Sequence, residues 1–282
     1  MKVLVGTAGF SYRDWKCTFY PPDIDSRRML EEYALHFPVV EINSTYYAIP
    51  PAERINAMAL RTPPDFEFTV KANREMTHEI SADPSIARDF RVAIRPLADH
   101  GKLGCVLAQF PWGFRNTERN RAYLEVLAER LEGLDTVVEF RNEEWEADST
   151  FELLARLELG YCCVDEPRLR GLVSPRAEVT GPVTYVRFHG RNYDTWWGKD
   201  KESWERYDYL YTDAELSEWL PKVEVMAQGS DRTYVIFNNH YKGQAPTNAR
   251  TFEQMLRGML GSAVVTIESA SGFSSGTDTL FD

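Results

Sequence analysis

Short apolar segments alternate with amphipathic ones along the whole chain. Eight segments are brief and rich in β-branched or aromatic residues, as strands are: 2–6, 39–46, 66–72, 104–110, 136–141, 161–165, 183–189 and 234–239. Between them, apolar residues recur at helical spacing, as they do over residues 30–37. Gly160, Gly229 and Gly261 stand where a glycine would end a helix. This alternation predicts strands joined by helices, and therefore a parallel sheet.

The number of repeats favours one closed barrel. Eight strand–helix units with no break in composition predict a single α/β domain over residues 1–282, a (β/α)8 barrel of the TIM type. An open doubly wound sheet is the alternative, but segment 6–9 reads GTAG and lacks the phosphate-binding glycine pattern. The longest irregular stretches follow strands 1, 3, 6 and 7, at the end where barrels carry their sites. We expect residues 262–282, rich in Ser, Gly and Thr, to form a loosely ordered tail.

Composition narrows the setting of the protein. The formal net charge of −11 disfavours a general nucleic-acid binder, because such binding depends on neutralising phosphates. No apolar run is long enough to cross a membrane, and the first residues resemble a strand more than a signal peptide. The four cysteines lack metal-site spacing and suit a reducing compartment, so a cytoplasmic protein is predicted.

Strand alternation indicates which side chains point into the barrel. Where apolar residues such as Val138 and Phe140 share one face, the polar residues between them must share the other. In strands six and eight the phase is open, since a shift of one residue reverses the faces. The predicted inward set is Glu41, Asn43, Lys71, Gln109, Glu139, Arg141, Asp165, Arg187, His189, and Asn238 or Asn239.

This set predicts a mixed-charge pocket for a small anionic ligand, either phosphorylated or sugar-containing. Lys71, Arg141 and Arg187 suit a phosphate or carboxylate. The other predicted ligand contacts are Asn43, Gln109, Asp165, Asn238, Asn239 and Trp196. Glu41, Glu139 and His189 are the candidate acid–base groups of a hydrolase, lyase or isomerase. The alternative is a buried structural network in which the glutamates neutralise the arginines.

Metal and cofactor sites are not indicated. His78, His189 and His240 fall at the correct end of the barrel, and Glu139 and Asp165 could join them. No spacing among them requires a metal, so we predict neither a metal nor a cofactor.

Two further functions remain open. The aromatic segment 193–211, beside Arg187, Arg191 and Lys199, suits a nucleotide or nucleic acid and a repair-type hydrolase. The same rings would equally form a small satellite core over the barrel. The third hypothesis is a metabolite sensor without catalysis. The sequence does not indicate an oligomeric state.

A set of ordered motifs spans the chain from the first strand to the last helix. They include GTAGFSYRDW (6–15), VEINSTYY (40–47), FTVKA (68–72), QFPW (109–112), VEFR (138–141), VDEP (164–167), YVRFHGRN (185–192) and FNNHYKGQAPTNA (237–249). The chain in this respect resembles the YecE-like family of conserved proteins of unknown function. The resemblance implies a TIM barrel and supplies no reaction.

Overall fold

Eight parallel strands close into a barrel in the computed structural model, which describes residues 1–197 and 203–267. The strands are β1 Lys2–Ala8, β2 Val39–Ile42, β3 Glu67–Lys71, β4 Leu103–Gln109, β5 Thr136–Glu139, β6 Leu159–Asp165, β7 Val183–Phe188 and β8 Arg232–Phe237. Each strand pairs with the next, and β8 pairs with β1, with Leu4 opposite Tyr234. The predicted (β/α)8 fold is confirmed.

Helices cover the outside of the barrel. They are α1 Met29–Ala34, α2 Ser44–Tyr47, α3 Ala52–Leu60, α4 Arg74–Thr77, α5 Ser85–Asp99, α6 Glu118–Arg130, α7 Asp148–Arg156, α8 Asp213–Ser217, α9 Leu220–Gln228 and α10 Gln244–Leu260. Gly229 and Gly261 follow α9 and α10 directly, as predicted. The short helices α2 and α4 continue from β2 and β3 on the side where the strands end, so they help to build the barrel mouth.

Of the boundaries that differ from the prediction, two have a clear physical reason. The second strand ends at Ile42, because the chain turns into α2, where the Thr45 hydroxyl donates to the Lys71 carbonyl at 2.6 Å. Gly160 does not end a helix but lies inside β6. A Cβ there would stand only 2.4 Å from the carbonyl oxygen of Val183, so close strand packing, and not a helix end, requires this glycine.

Apolar side chains fill both sides of the strands. Val40, Val138 and Phe188 belong to the outer core between strands and helices. Leu4 and Ile236 belong to an inner core, together with other barrel-facing residues such as Leu107, Val137 and Tyr234. Because this inner core fills the barrel around its middle and amino-terminal end, the inward polar residues gather at the carboxyl ends of the strands.

The segment after α10 seals the amino-terminal end of the barrel. Val264 is 4% exposed and pairs with Val3, and the amide of Val265 donates to the Val3 carbonyl at 2.9 Å. Val264 and Val265 fall within the predicted loose tail and are held against β1, while residues 268–282 lie outside the described residues. Across the described ranges, no helix is both long and apolar enough to span a membrane.

Candidate functional site

A buried ion network crosses the barrel interior near the carboxyl ends of the strands. Arg187 on β7 donates one nitrogen to Glu41 on β2 and another to Glu139 on β5, each at 2.7 Å. Arg187 is 2% exposed and both glutamates are fully buried. Since these three strands are not neighbours, the contacts can form only across the barrel, which confirms the predicted inward direction of all three residues.

Arg141 extends the network towards solvent. It lies just beyond β5, is 13% exposed, and contacts Glu139 at 2.5 Å and Glu166 at 2.8 Å. Its third contact is the ring of His189, whose Nε2 lies 2.9 Å from the guanidinium. Every guanidinium group of the network therefore faces carboxylates, which leaves little positive charge for a ligand.

Two members of the network were missed by the sequence analysis. Glu166 directly follows β6, inside the VDEP motif, and its position after a strand was the available signal. Tyr185 lies two residues before Arg187 on the same face, so alternation alone could have found it. Its hydroxyl donates to Glu41 at 2.8 Å and contacts the Thr69 hydroxyl at the same distance.

The protonation of the network differs from residue to residue. Burial opposes ionisation of Glu139, but the Arg141 and Arg187 guanidinium groups hold its pKa well below the usual range. Burial and the charge of Arg141 hold the pKa of His189 well below its ordinary value, so its ring is neutral. Burial raises the pKa of Glu166 to about 7 against the opposing charge of Arg141. Of Glu139, His189 and Glu166, it is Glu166 that exchanges a proton near neutral pH.

A pocket rim of partly exposed polar side chains lies above this network. We use "pocket rim" for Tyr12, Asn43, Tyr46, Lys71, His78 and Gln109. Lys71 ends β3, and its ammonium donates to the amide oxygen of Gln109 at 2.8 Å and lies 4.6 Å from the centre of the Tyr46 ring. The rim thus contains the predicted contacts Asn43, Lys71 and Gln109, each partly exposed, and their role as ligand contacts stays a prediction.

The electrostatics of the rim follow from Lys71. Burial, and then the charge of Arg187, lower the pKa of Lys71 to about 8. Burial and the charge of Lys71 lower the pKa of His78 to about 4, so this ring is neutral at pH 7. His78 packs edge-on against Tyr46, with 5.0 Å between the ring centres. The rim is therefore a weakly cationic surface with one protonatable amine and one neutral imidazole.

Asp165 does not belong to the pocket. The structure places it on the outer face of β6, where its carboxylate accepts from Tyr211 at 2.6 Å, Trp219 at 2.6 Å and Arg191 at 2.7 Å. Its predicted inward direction is wrong, because residues 161–165 are apolar up to Asp165 and give no phase. Cys162 takes the inward position and lies 3.9 Å from Glu139.

The two asparagines after β8 separate as the alternation requires. Asn238 faces the barrel, with its amide 3.0 Å from Nδ1 of His189. Asn239 faces α10, where it donates to Asn248 at 2.9 Å and to the Tyr209 carbonyl at 2.8 Å. Asn238 is thus the inward member of the pair, and Asn239 anchors a helix.

The aromatic segment after β7 packs as a satellite core only in part, because Trp196 and Tyr211 are buried whereas Tyr193 and Trp197 are about half exposed. Trp196 is 3% exposed beneath Arg206, and Tyr211 packs against Phe188 with 5.4 Å between ring centres. Arg191 is held by Asp165 and Glu218, so its charge is already neutralised. Lys199, the other cation of the nucleic-acid hypothesis, lies outside the described residues. A ligand contact by Trp196 stays a prediction.

The described residues contain no cluster of side chains that is arranged to bind a metal ion. Over residues 1–197 and 203–267, no group of three or more His, Cys, Asp or Glu side chains is arranged to hold an ion. The absence of a metal or cofactor in the working protein remains a prediction.

Comparison with known proteins gives consistent matches over nearly the whole chain. The family described as "Protein of unknown function DUF72" matches residues 4–267. The UPF0759 protein YunF of Bacillus subtilis is 31% identical over 269 residues, which are 90% of this chain and 94% of that protein. These matches agree with the resemblance inferred from the sequence motifs in that both point to a family of uncharacterised proteins. The YecE-like name itself stays a prediction.

Solved structures of DUF72 family proteins share the fold. One from Thermotoga maritima is 40% identical with a TM-score of 0.84, covering 91% of this chain and all of that one. Another, from Enterococcus faecalis, is 29% identical with a TM-score of 0.81, covering 90% of this chain and 95% of that one. Their descriptions name no activity, so the chemistry must be inferred from the site.

Proposed function

The chain belongs to the DUF72 family of proteins of unknown function, and because this family supplies no reaction, we propose a function for the chain from the residues at its barrel mouth. The pocket rim binds a small anionic molecule, and Lys71 supplies the opposing charge. A phosphate or carboxylate group is the chemistry that an ammonium beside an aromatic ring and amide groups would accept.

The observation that supports this proposal is the lack of a carboxylate beside Lys71. Among the residues that the structure describes, its ammonium contacts the neutral amide of Gln109 and the ring of Tyr46, and no ion pair is formed. Arg141 and Arg187 each contact two glutamates. Glu139 and Glu41 act on Lys71 without forming an ion pair with it, so a partly buried ammonium lacks a direct partner, and an anionic ligand would supply one.

Proton transfer is assigned to Glu166, which joins the buried network below the rim through Arg141. The predicted acid–base candidates Glu41 and Glu139 are held by Arg187, and His189 is neutral inside the network. Glu166 is buried, and its Oε1 has no hydrogen-bond partner among the described residues. With a pKa of about 7 it can give or take a proton at neutral pH, as a lyase or isomerase would need.

The test is binding of inorganic phosphate and of citrate, measured by titration calorimetry. Lys71→Met keeps the length of the side chain and removes the charge, so we expect at least about a tenfold loss of affinity. Because the pKa of Lys71 is about 8, affinity in the unchanged protein should also fall as the pH rises through 8.

Lys222→Met is the matched control. Lys222 also places its ammonium over an aromatic ring, 5.0 Å from the centre of the Trp219 ring, but it lies partly exposed on α9, far along the chain from the rim. The Lys222→Met variant should bind phosphate and citrate as tightly as the unchanged protein does. Equal binding by the Lys71→Met and Lys222→Met variants would rule out Lys71 as the anion partner.

The sensor hypothesis shares this binding step and differs in turnover. A ligand recovered unchanged after long incubation with the protein would favour a sensor, whereas conversion that Glu166→Gln slows would favour an enzyme.

A further inference from the structure

Lys71 and Lys102 both place their ammonium groups against other residues, and their surroundings differ. Lys102 is 6% exposed and donates to three oxygens, the carbonyls of Ala59 and Thr62 and the Thr62 hydroxyl, at 2.6–3.0 Å. All three hydrogens of that ammonium are therefore engaged. Lys71 donates to one oxygen, that of Gln109, and opens onto the barrel mouth. Lys71 is thus partly exposed and has unengaged hydrogens, as a reacting group would need.

The nitrogen of Lys71 is also available as a free amine. Burial and the neighbouring Arg187 lower its pKa to about 8, so roughly one molecule in ten carries the neutral amine at pH 7. A desolvated lysine next to other cations is the usual form of an amine nucleophile in enzymes. Its position at the carboxyl end of a barrel strand is the position from which barrel enzymes present reacting side chains.

We propose that Lys71 forms an imine with a small aldehyde or ketone that carries an anionic group. The inference rests on the proposed function, since it names the substrate class of the same site. Gln109 and the Tyr46 ring hold the amine at the barrel mouth, where a carbonyl carbon can approach it.

The reaction balances without another reactant. The lone pair of the amine forms a bond to the carbonyl carbon, and the carbon–oxygen π bond breaks to give a carbinolamine. The nitrogen then gives up its second proton as the oxygen leaves with both protons as water, which produces a carbon–nitrogen double bond. Nothing is oxidised or reduced, and hydrolysis reverses the sequence.

The imine regains a positive charge when its nitrogen takes up a proton from solvent. The protonated imine carries the same positive charge as the ammonium, so it still balances the anionic group of the substrate. It also withdraws electrons from the carbon next to the former carbonyl, where a proton can then leave. Glu166 is the described buried carboxyl with a pKa near neutrality that such a step would use.

The experiment uses the full chain with pyruvate as the anionic probe and methyl pyruvate as its neutral counterpart. Each is incubated with the protein, borohydride is added to reduce any imine, and the modified lysines are identified by peptide mass spectrometry. With pyruvate we expect at least about tenfold more adduct at Lys71 than at Lys102 or the partly exposed Lys222, because a lowered pKa activates the amine. With methyl pyruvate the adduct at Lys71 should be much smaller.

Lys71→Arg keeps the charge and cannot form this adduct, so labelling at position 71 should vanish while anion binding persists. Adduct at Lys71 no greater than at Lys222 overturns the imine, and phosphate binding by the same protein would then leave the proposed function standing. Equal labelling by pyruvate and methyl pyruvate overturns the anionic substrate class of the imine, whereas the phosphate and citrate titrations decide the proposed function separately.

Discussion

Glu166 keeps its proton up to nearly neutral pH, because it is buried and shares Arg141 with Glu139. Its pKa of about 7 in the folded protein lies above the ordinary value of 4.5, so the folded state binds this proton more tightly than the unfolded state. The stabilisation is complete below the unfolded pKa and is lost as the pH rises through 7.

Replacing Glu166 by glutamine should therefore change how stability depends on pH. The variant side chain stays neutral, so we expect its unfolding free energy to gain up to about 3 kcal/mol relative to the unchanged protein between pH 4 and pH 8. Urea unfolding at several pH values measures this difference. Glu152→Gln, at an exposed position of α7, should show no such gain, and a flat difference for Glu166→Gln would contradict the assignment.

Single residues also show what the sequence could and could not predict. Glu41, Glu139 and Arg187 were assigned inward because apolar residues on both sides fixed the phase of their strands. Asp165 was misplaced because its strand is apolar on both faces and so gives no phase. Whether Lys71 has an ion-pair partner depends on which strands the closed barrel brings together. The alternation of residues within one strand does not contain that information.

At the scale of elements, β6 shows how a local signal was misread. Glycine is common at helix ends, and Gly160 follows α7 by only a few residues. Its actual role is to let the backbone of β7 approach, since an added Cβ would stand 2.4 Å from the Val183 carbonyl and 2.7 Å from a Val137 methyl. The requirement arises from neighbouring strands that are distant in sequence.

Gly160→Ala should accordingly destabilise the protein by about 1–3 kcal/mol, as overpacking of a tight site does. Gly113→Ala is the control, because a Cβ at that exposed turn meets no atom within 4 Å. Thermal unfolding of the two variants compares them directly. A Gly160→Ala protein as stable as Gly113→Ala would show that the strands can move apart at no cost.

For the whole molecule, the ion network joins strands on opposite sides of the barrel. Arg187 connects β2 and β5 from β7, so the three strands share one charge cluster rather than separate surface pairs. Removing any one member of such a cluster is destabilising, because the remaining charges would be buried without their partner.

Arg187→Met should lower the unfolding free energy by about 3–5 kcal/mol, since it leaves Glu41 and Glu139 without this shared cation. Adding Glu41→Gln to that variant should recover part of the loss. Arg176→Met removes a partly exposed pair with Glu178 and should cost no more than about 1 kcal/mol. Chemical denaturation measures all three, and equal losses for Arg187→Met and Arg176→Met would contradict a cooperative network.

The seal formed by Val264 and Val265 has a consequence for biosynthesis. β1 leaves the ribosome first, yet its free edge pairs with β8, and its amino-terminal end is covered only by a segment made after α10. A growing chain therefore presents an unpaired strand edge and the apolar inner core until residue 265 has emerged from the exit tunnel. Chaperones that bind apolar strands would find their target in this interval, and pauses in translation beyond β8 would prolong it.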